Sequence, residues 1–139
     1  MKKIVSKSID IAIKLFPERY KNRTRPQPFH YAFLFNKQRL VSIGQNCMDN
    51  ESAKALFLAK RYNLGIQRKF PFIHAETDAI SKAWGKYHID SNFNMVSLRI
   101  SKGLILRNAK PCNDCESVLN ALDIQAYYSD KNGSIRLNN

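Results

Sequence analysis

The chain has 139 residues, 44% of them hydrophobic and 11% aromatic. That suits one globular domain with a buried core and is too little for two, so a single domain over 1–139 is expected. Lys plus Arg number 23 against 11 for Asp plus Glu, a formal net charge of +12 that disfavours cationic partners and favours phosphate-bearing ones.

The first residues, Met1-Lys2-Lys3-Ile4-Val5, could mimic a signal peptide but are not expected to form one. Lys7, Asp10 and Lys14 interrupt the apolar stretch and no small-residue cleavage site follows. No run is long enough to span a bilayer, so a cytoplasmic protein without a membrane partner is expected. Ile9, Ala12, Ile13 and Phe16 fall at i, i+3, i+4 and i+7, which predicts a helix over about 6–16, with Pro17 ending it. The stretch from Pro17 to Pro28 reads as a loop carrying Arg19, Lys21, Arg23 and Arg25, the densest basic patch in the chain.

Phe29 to Phe35 and Leu40 to Asn46 read as the two strands of a hairpin joined by the polar turn Asn36-Lys37-Gln38-Arg39. A helix is predicted over about 51–62, then a loop over 64–72 that carries Arg68 and Lys69. His74 to about Lys86 reads as a helix with the stripe Ala75, Ala79, Ile80 and Ala83. Met95 to Ile100 is a strand, and Leu104 to Leu106 a short return after a turn at Ser101-Lys102-Gly103. Pro111 is expected to open a helix running to about Leu122. Ile124 to Tyr128 and Ile135 to Leu137 are strands. The few residues between them leave no room for a crossover helix, so this last pair is predicted to be antiparallel. Alternation of helices and strands implies a mixed sheet with helices packed on it.

Two segments carry chemistry. His74-Ala75-Glu76 and Pro111-Cys112-Asn113-Asp114-Cys115 together offer one imidazole and two thiols, donor types that zinc takes, plus a carboxylate not needed as a ligand. Three protein ligands leave one tetrahedral position of Zn2+ open, as in catalytic zinc sites. Cys112 and Cys115, at i and i+3, are neighbours on one helix face near the positive end of its dipole, where the thiolate is favoured. His74 and Glu76, at i and i+2, would point apart in mid-helix; they converge on one site only if His74 stands at the helix start. Of the remaining candidates for a fourth ligand, His88 reads as a surface histidine, His30 as a satisfied core or edge residue, and Cys47 as a buried strand thiol. None sits in a ligand-spaced pair. An odd cysteine count with a C-x-x-C also argues against a disulfide framework and for a reducing compartment.

The H-x-E…P-C-x-x-C pattern resembles that of the zinc-dependent cytidine deaminase-like superfamily. Leu40-Val41-Ser42-Ile43-Gly44-Gln45-Asn46 resembles the second strand of that family, and Phe72 through Ile80 its zinc helix. The resemblance covers roughly 29–46 and 72–129. It implies a three-layer α/β/α fold, a five-stranded mixed sheet with helices on both sides. It also implies hydrolytic deamination, in which Glu76 shuttles protons at a zinc held by His74, Cys112 and Cys115. By the same resemblance, Asn46 would contact a sugar and the backbone N–H of Ala75 would meet the base. Tyr127 and Tyr128 are candidates for a stacking wall, with one of the two expected to face the core.

The His form of the motif is similar to deoxycytidylate deaminases, polynucleotide cytosine deaminases and tRNA adenosine deaminases. The predicted terminal hairpin, and the lack of a longer C-terminal helix, favour the cytosine branch. The substrate expected first is cytosine in single-stranded polynucleotide, DNA ahead of RNA, gripped by Arg19, Lys21, Arg23, Arg25, Arg68 and Lys69. Free cytidine or deoxycytidine nucleotides are the alternative. A non-catalytic zinc module that only binds nucleic acid is a third reading, disfavoured by Glu76. Oligomeric state is open.

Overall fold

A computed structural model describes residues 2–22, 29–51 and 72–138. The predicted helix over 51–62, the loop after it, and Arg23, Arg25, Arg68 and Lys69 lie outside these residues, apart from Glu51 and Phe72, which belong to strands. The elements are α1 (Lys2–Lys21), β1 (Phe29–Asn36), β2 (Arg39–Gln45), β3 (Cys47–Glu51), β4 (Phe72–Ile73), α2 (Ala75–Ala83), β5 (Phe93–Ser101), β6 (Ile105–Arg107), α3 (Asn113–Ala121), β7 (Gln125–Ser129) and β8 (Ile135–Asn138).

Five strands form a mixed sheet in the order β2-β1-β5-β7-β8. β5 and β7 are parallel and the other neighbours antiparallel, including the terminal β7–β8 hairpin that the short connection predicted. β6 adds a short sixth strand, pairing with β5 over Arg99–Ser101 beyond the stretch that β7 occupies. Ser129 joins these edges: its Oγ donates to the Arg107 carbonyl at 2.7 Å and accepts from the Arg99 amide at 3.3 Å. β3 and β4 form a separate two-stranded ribbon.

Period-two alternation in β1 divides the core into two layers. Phe29, Tyr31, Phe33 and Phe35 pack with Val96, Leu98 and Ile100 against Ile4, Ala12 and Phe16 of α1. Ala32 and Leu34 face the other way, with Met95 and Ala126, against Ala75, Ala79, Ile80 and Ala83 of α2 and Val118 and Leu119 of α3. Helices therefore cover both faces, the three-layer arrangement expected.

Three local expectations need correction. Pro17 lies inside α1, which continues to Lys21. Its exposed ring faces solvent, and the turn after it is held by Arg19, whose guanidinium sits 4.5 Å from the Phe29 ring centroid and 5.0 Å from that of Tyr31. That tertiary grip outweighs the lost backbone bond. The buried stripe of α1 is Ile4, Ser8, Ala12 and Phe16, while Ile13 is 41% exposed. Small residues at 8 and 12 let the helix lie close to the sheet, and Ser8 satisfies its hydroxyl on the Ile4 carbonyl at 2.7 Å. Pro111 does not open α3; it precedes Cys112, the N-cap, by one residue.

Candidate metal centre and active site

The site lies where β2, β5 and β7 present their C-terminal ends and two helices begin. Such an edge is where open α/β sheets bind ligands. His74 is the N-cap of α2, with extended backbone (φ −93°, ψ 148°). Because its backbone is not helical, its ring and the Glu76 carboxylate reach the same side of the helix. Cys112, the N-cap of α3, is likewise extended (φ −68°, ψ 169°), and Cys115 follows one turn later. Both ligand segments thus sit at helix N-termini, where the dipole favours thiolate.

Glycine allows α2 to come this close. A Cβ on Gly44 of β2 would overlap the Ala75 carbonyl and the Ala79 amide. Hydrogen bonds stitch the same surfaces together: Ser42 Oγ donates to the Ala79 carbonyl at 2.7 Å, the Gln45 amide donates to Asp78 Oδ2 at 3.0 Å, and Lys82 Nζ donates to the Ile43 carbonyl at 2.8 Å.

His74 Nδ1 lies 3.5 Å from both Cys112 Sγ and Cys115 Sγ. All three ligand atoms fall within 4.8 Å of one another. A zinc bonded at about 2.3 Å to sulfur and about 2.0–2.1 Å to nitrogen sets N and S about 3.5–3.6 Å apart at a tetrahedral angle. The donor chemistry and the spacing therefore fit Zn2+. Cys115 is buried and Cys112 exposed, so the site opens to solvent on the Cys112 side. The Cys112 thiol is pulled down to about 3, first by hydrogen bonding from Cys115 and then by His74. Neither His30 nor His88 joins the ligand cluster among the described residues. His88 is exposed, as the sequence suggested.

Glu76 is 2% exposed. Burial raises its carboxyl to about 7, and the neighbouring Cys112 thiolate adds to the rise. A carboxyl poised there can both take and return a proton near neutral pH. Its Oε1 stands 3.6 Å from His30 Nε2. His30 is a residue that sequence reasoning passed over as a satisfied core or edge histidine. It is buried, but Nε2 has no hydrogen-bond partner among the described residues. No spacing in the sequence links positions 30 and 76; only the packing of α2 over β1 does.

The remaining expected residues divide. Ala75 is buried at the first turn of α2, beside the ligands. Asn46 Oδ1 accepts from the His30 amide at 3.0 Å and from Arg19 at 2.6 Å. Arg19, expected among the cations that grip a strand, is turned inward and also donates to the His30 and Asn46 carbonyls at 3.1 and 2.6 Å. Lys21 is exposed at the end of α1. Tyr127 packs with the α1-side cluster, and its hydroxyl donates to Gln125 Oε1 at 3.1 Å. By strand alternation Tyr128 shares the α2–α3 face with Ala126, so the structure brings Tyr128, and not Tyr127, to the face that carries the site.

No protein-family model and no curated protein matches this sequence. Among solved structures, a cytidine deaminase from Burkholderia pseudomallei is similar, with a TM-score of 0.56 and 17% sequence identity over 97% of this chain and 88% of that one. The chain therefore has the cytidine deaminase-like fold, with a His-Cys-Cys ligand set for zinc at the paired helix N-termini.

Proposed function

We propose that the protein is a zinc-dependent hydrolytic deaminase that converts cytosine to uracil in single-stranded polynucleotide. The observation that carries the deaminase reading is Glu76: a buried carboxyl beside, and outside, a three-ligand zinc set. Zinc, when bound, supplies Lewis acidity and a water acidified toward about pKa 7. Glu76 would pass one proton from the attacking water to the ring nitrogen, then take the hydroxyl proton of the resulting adduct and pass it to the amine that leaves as ammonia. His74, Cys112 and Cys115 hold the metal at the helix ends. The Ala75 N–H would orient the base, Asn46 the sugar, and Tyr128 would line the wall that stacks on the base. The net charge of +12 supports a polymeric, phosphate-rich substrate, with Lys21, Arg23, Arg25, Arg68 and Lys69 gripping the strand. A free cytidine nucleotide is the second reading, favoured by the description of the structural neighbour as a cytidine deaminase.

One assay with three substrates decides between them: a C-containing single-stranded oligonucleotide, deoxycytidylate and cytidine. Uracil formed in the oligonucleotide, with activity falling steeply as salt is added, supports the polynucleotide reading. Uracil formed only in the free nucleotide or nucleoside overturns it.

A further inference from the structure

His30 is the second residue of β1 and the direct cross-strand partner of Arg99 on β5. Arg99 Nη2 lies 3.4 Å from His30 Nδ1. A guanidinium has donors only, so Nδ1 must act as the acceptor, and in a neutral ring the proton then belongs to Nε2. That Nε2 stands 3.6 Å from Glu76 Oε1. Both atoms are buried, and neither has a hydrogen-bond partner among the described residues. A buried donor facing a buried acceptor, each otherwise unpaired, is a pair that needs a shift of roughly half an ångström to close into a hydrogen bond. The ring is held neutral by burial first and then by the Arg99 charge, which together bring His30 down to about 3.

We infer that His30 is a positioning residue for Glu76: its imidazole, oriented by Arg99, donates Nε2–H to Oε1 and leaves Oε2 as the oxygen that handles the proton at the zinc site. This rests on the reading of Glu76 as the proton carrier. Arg99 fixes the tautomer and His30 fixes the carboxylate. The arrangement parallels the way a carboxylate orients a catalytic imidazole, with the roles of the two groups exchanged. It also explains a buried imidazole that binds no metal.

Two measurements on the zinc-loaded full chain test it. Long-range proton–nitrogen NMR of the histidine rings, of which the chain has three, reports which His30 nitrogen bears the proton. Nε2–H is expected, and a proton on Nδ1 overturns the inference whatever the activity. The second measurement compares variants on the oligonucleotide. His30→Asn, whose amide is too short to reach Glu76, should lower kcat by roughly 10- to 100-fold with KM and zinc content little changed. His30→Gln, whose amide nitrogen overlays Nε2, should recover kcat to within about fivefold of the parent, as a restored donor would. Equal kcat in the Asn variant and the parent, or no recovery in a folded, zinc-loaded Gln variant, overturns it. A parent that deaminates none of the three substrates refutes the proposed function, and the NMR result then decides the tautomer on its own.

Discussion

Gly44 of β2 lies so close beneath Ala75 of α2 that any Cβ at position 44 would overlap the Ala75 carbonyl oxygen. The contact is backbone against backbone, so no rotamer change relieves it. Gly44→Ala must push the start of α2, and His74 with it, away from β2. A loss of roughly 1–3 kcal/mol or more in stability is expected, as for overpacking in a closed core. Zinc content should fall at the same time. Chemical denaturation and metal analysis of the purified variant check both, and unchanged stability would show that α2 sits farther from β2.

On the proposed mechanism Glu76 carries protons, and it stands outside the metal-ligand cluster. Glu76→Gln should keep one zinc per chain and lose deamination by about 10²- to 10⁴-fold, the range for removing a general acid/base. Metal analysis paired with single-turnover kinetics separates the two effects. Turnover near the parent level would rule out Glu76 as the proton carrier.

The three ligand atoms are matched to zinc by spacing and type. Cys115→Ser should weaken zinc binding by more than about 100-fold, beyond the cost of removing a supporting second partner. Incubation with a strong chelator should abolish activity in the parent, and added Zn2+ should restore it. Competition with a chromogenic chelator gives the affinity change directly.

His30 ties stability to pH. Its folded pKa of about 3 lies below the ordinary 6.5, with Arg99, His74, Arg19 and Glu76 as its charged or titratable neighbours. Between those values the unfolded chain binds a proton that the folded chain refuses. The contribution of His30 is therefore fully present above pH 6.5 and is lost as pH falls toward 3. Glu76 has the opposite sign: its carboxyl is raised from 4.5 to about 7, so it favours folding at low pH and loses that advantage as pH rises through 7. Comparing the parent with His30→Gln, both zinc-free, isolates the first effect. Below pH 6.5 the parent should lose stability relative to the variant by roughly 1.4 kcal/mol per pH unit. Denaturant titrations at several pH values check this, and a difference independent of pH would mean that His30 titrates normally.

Arg19 and Asn46 share one network that clamps the end of α1 to the start of β1. Arg19→Lys keeps the charge but replaces the planar fork that spans the His30 and Asn46 oxygens by a compact ammonium, and it has no plane to stack on Phe29 and Tyr31. A loss of about 1–3 kcal/mol is expected, since partly buried acceptors are left unpaired. Thermal unfolding of the variant against the parent measures it.

Much of the fold was legible because its signals are local. Phe29–Phe35 followed by a polar turn marked β1, the short Asp130–Gly133 turn marked the terminal hairpin, and Ala75, Ala79, Ile80 and Ala83 marked the buried side of α2. The need for His74 to stand at a helix start also followed from the i, i+2 spacing to Glu76, and the extended N-cap meets it. Pro17 was misjudged because a proline usually ends a helix, and what carries α1 past it is a side chain reaching residues 10 to 27 positions further along.

The sequence by itself determined the ligand types, their spacing and the carboxylate beside them, since these depend only on residue identity and on positions within one or two helical turns. The tertiary structure alone decided the rest. It brought His74 Nδ1 to 3.5 Å from the thiols of Cys112 and Cys115, 38 and 41 residues further along, through a sheet whose β5 and β7 run parallel. It also turned Arg19 inward, separated Tyr127 from Tyr128, and set His30 against Glu76. Those relations depend on strand order and on how closely α2 packs, which are properties of the whole chain and of no single segment.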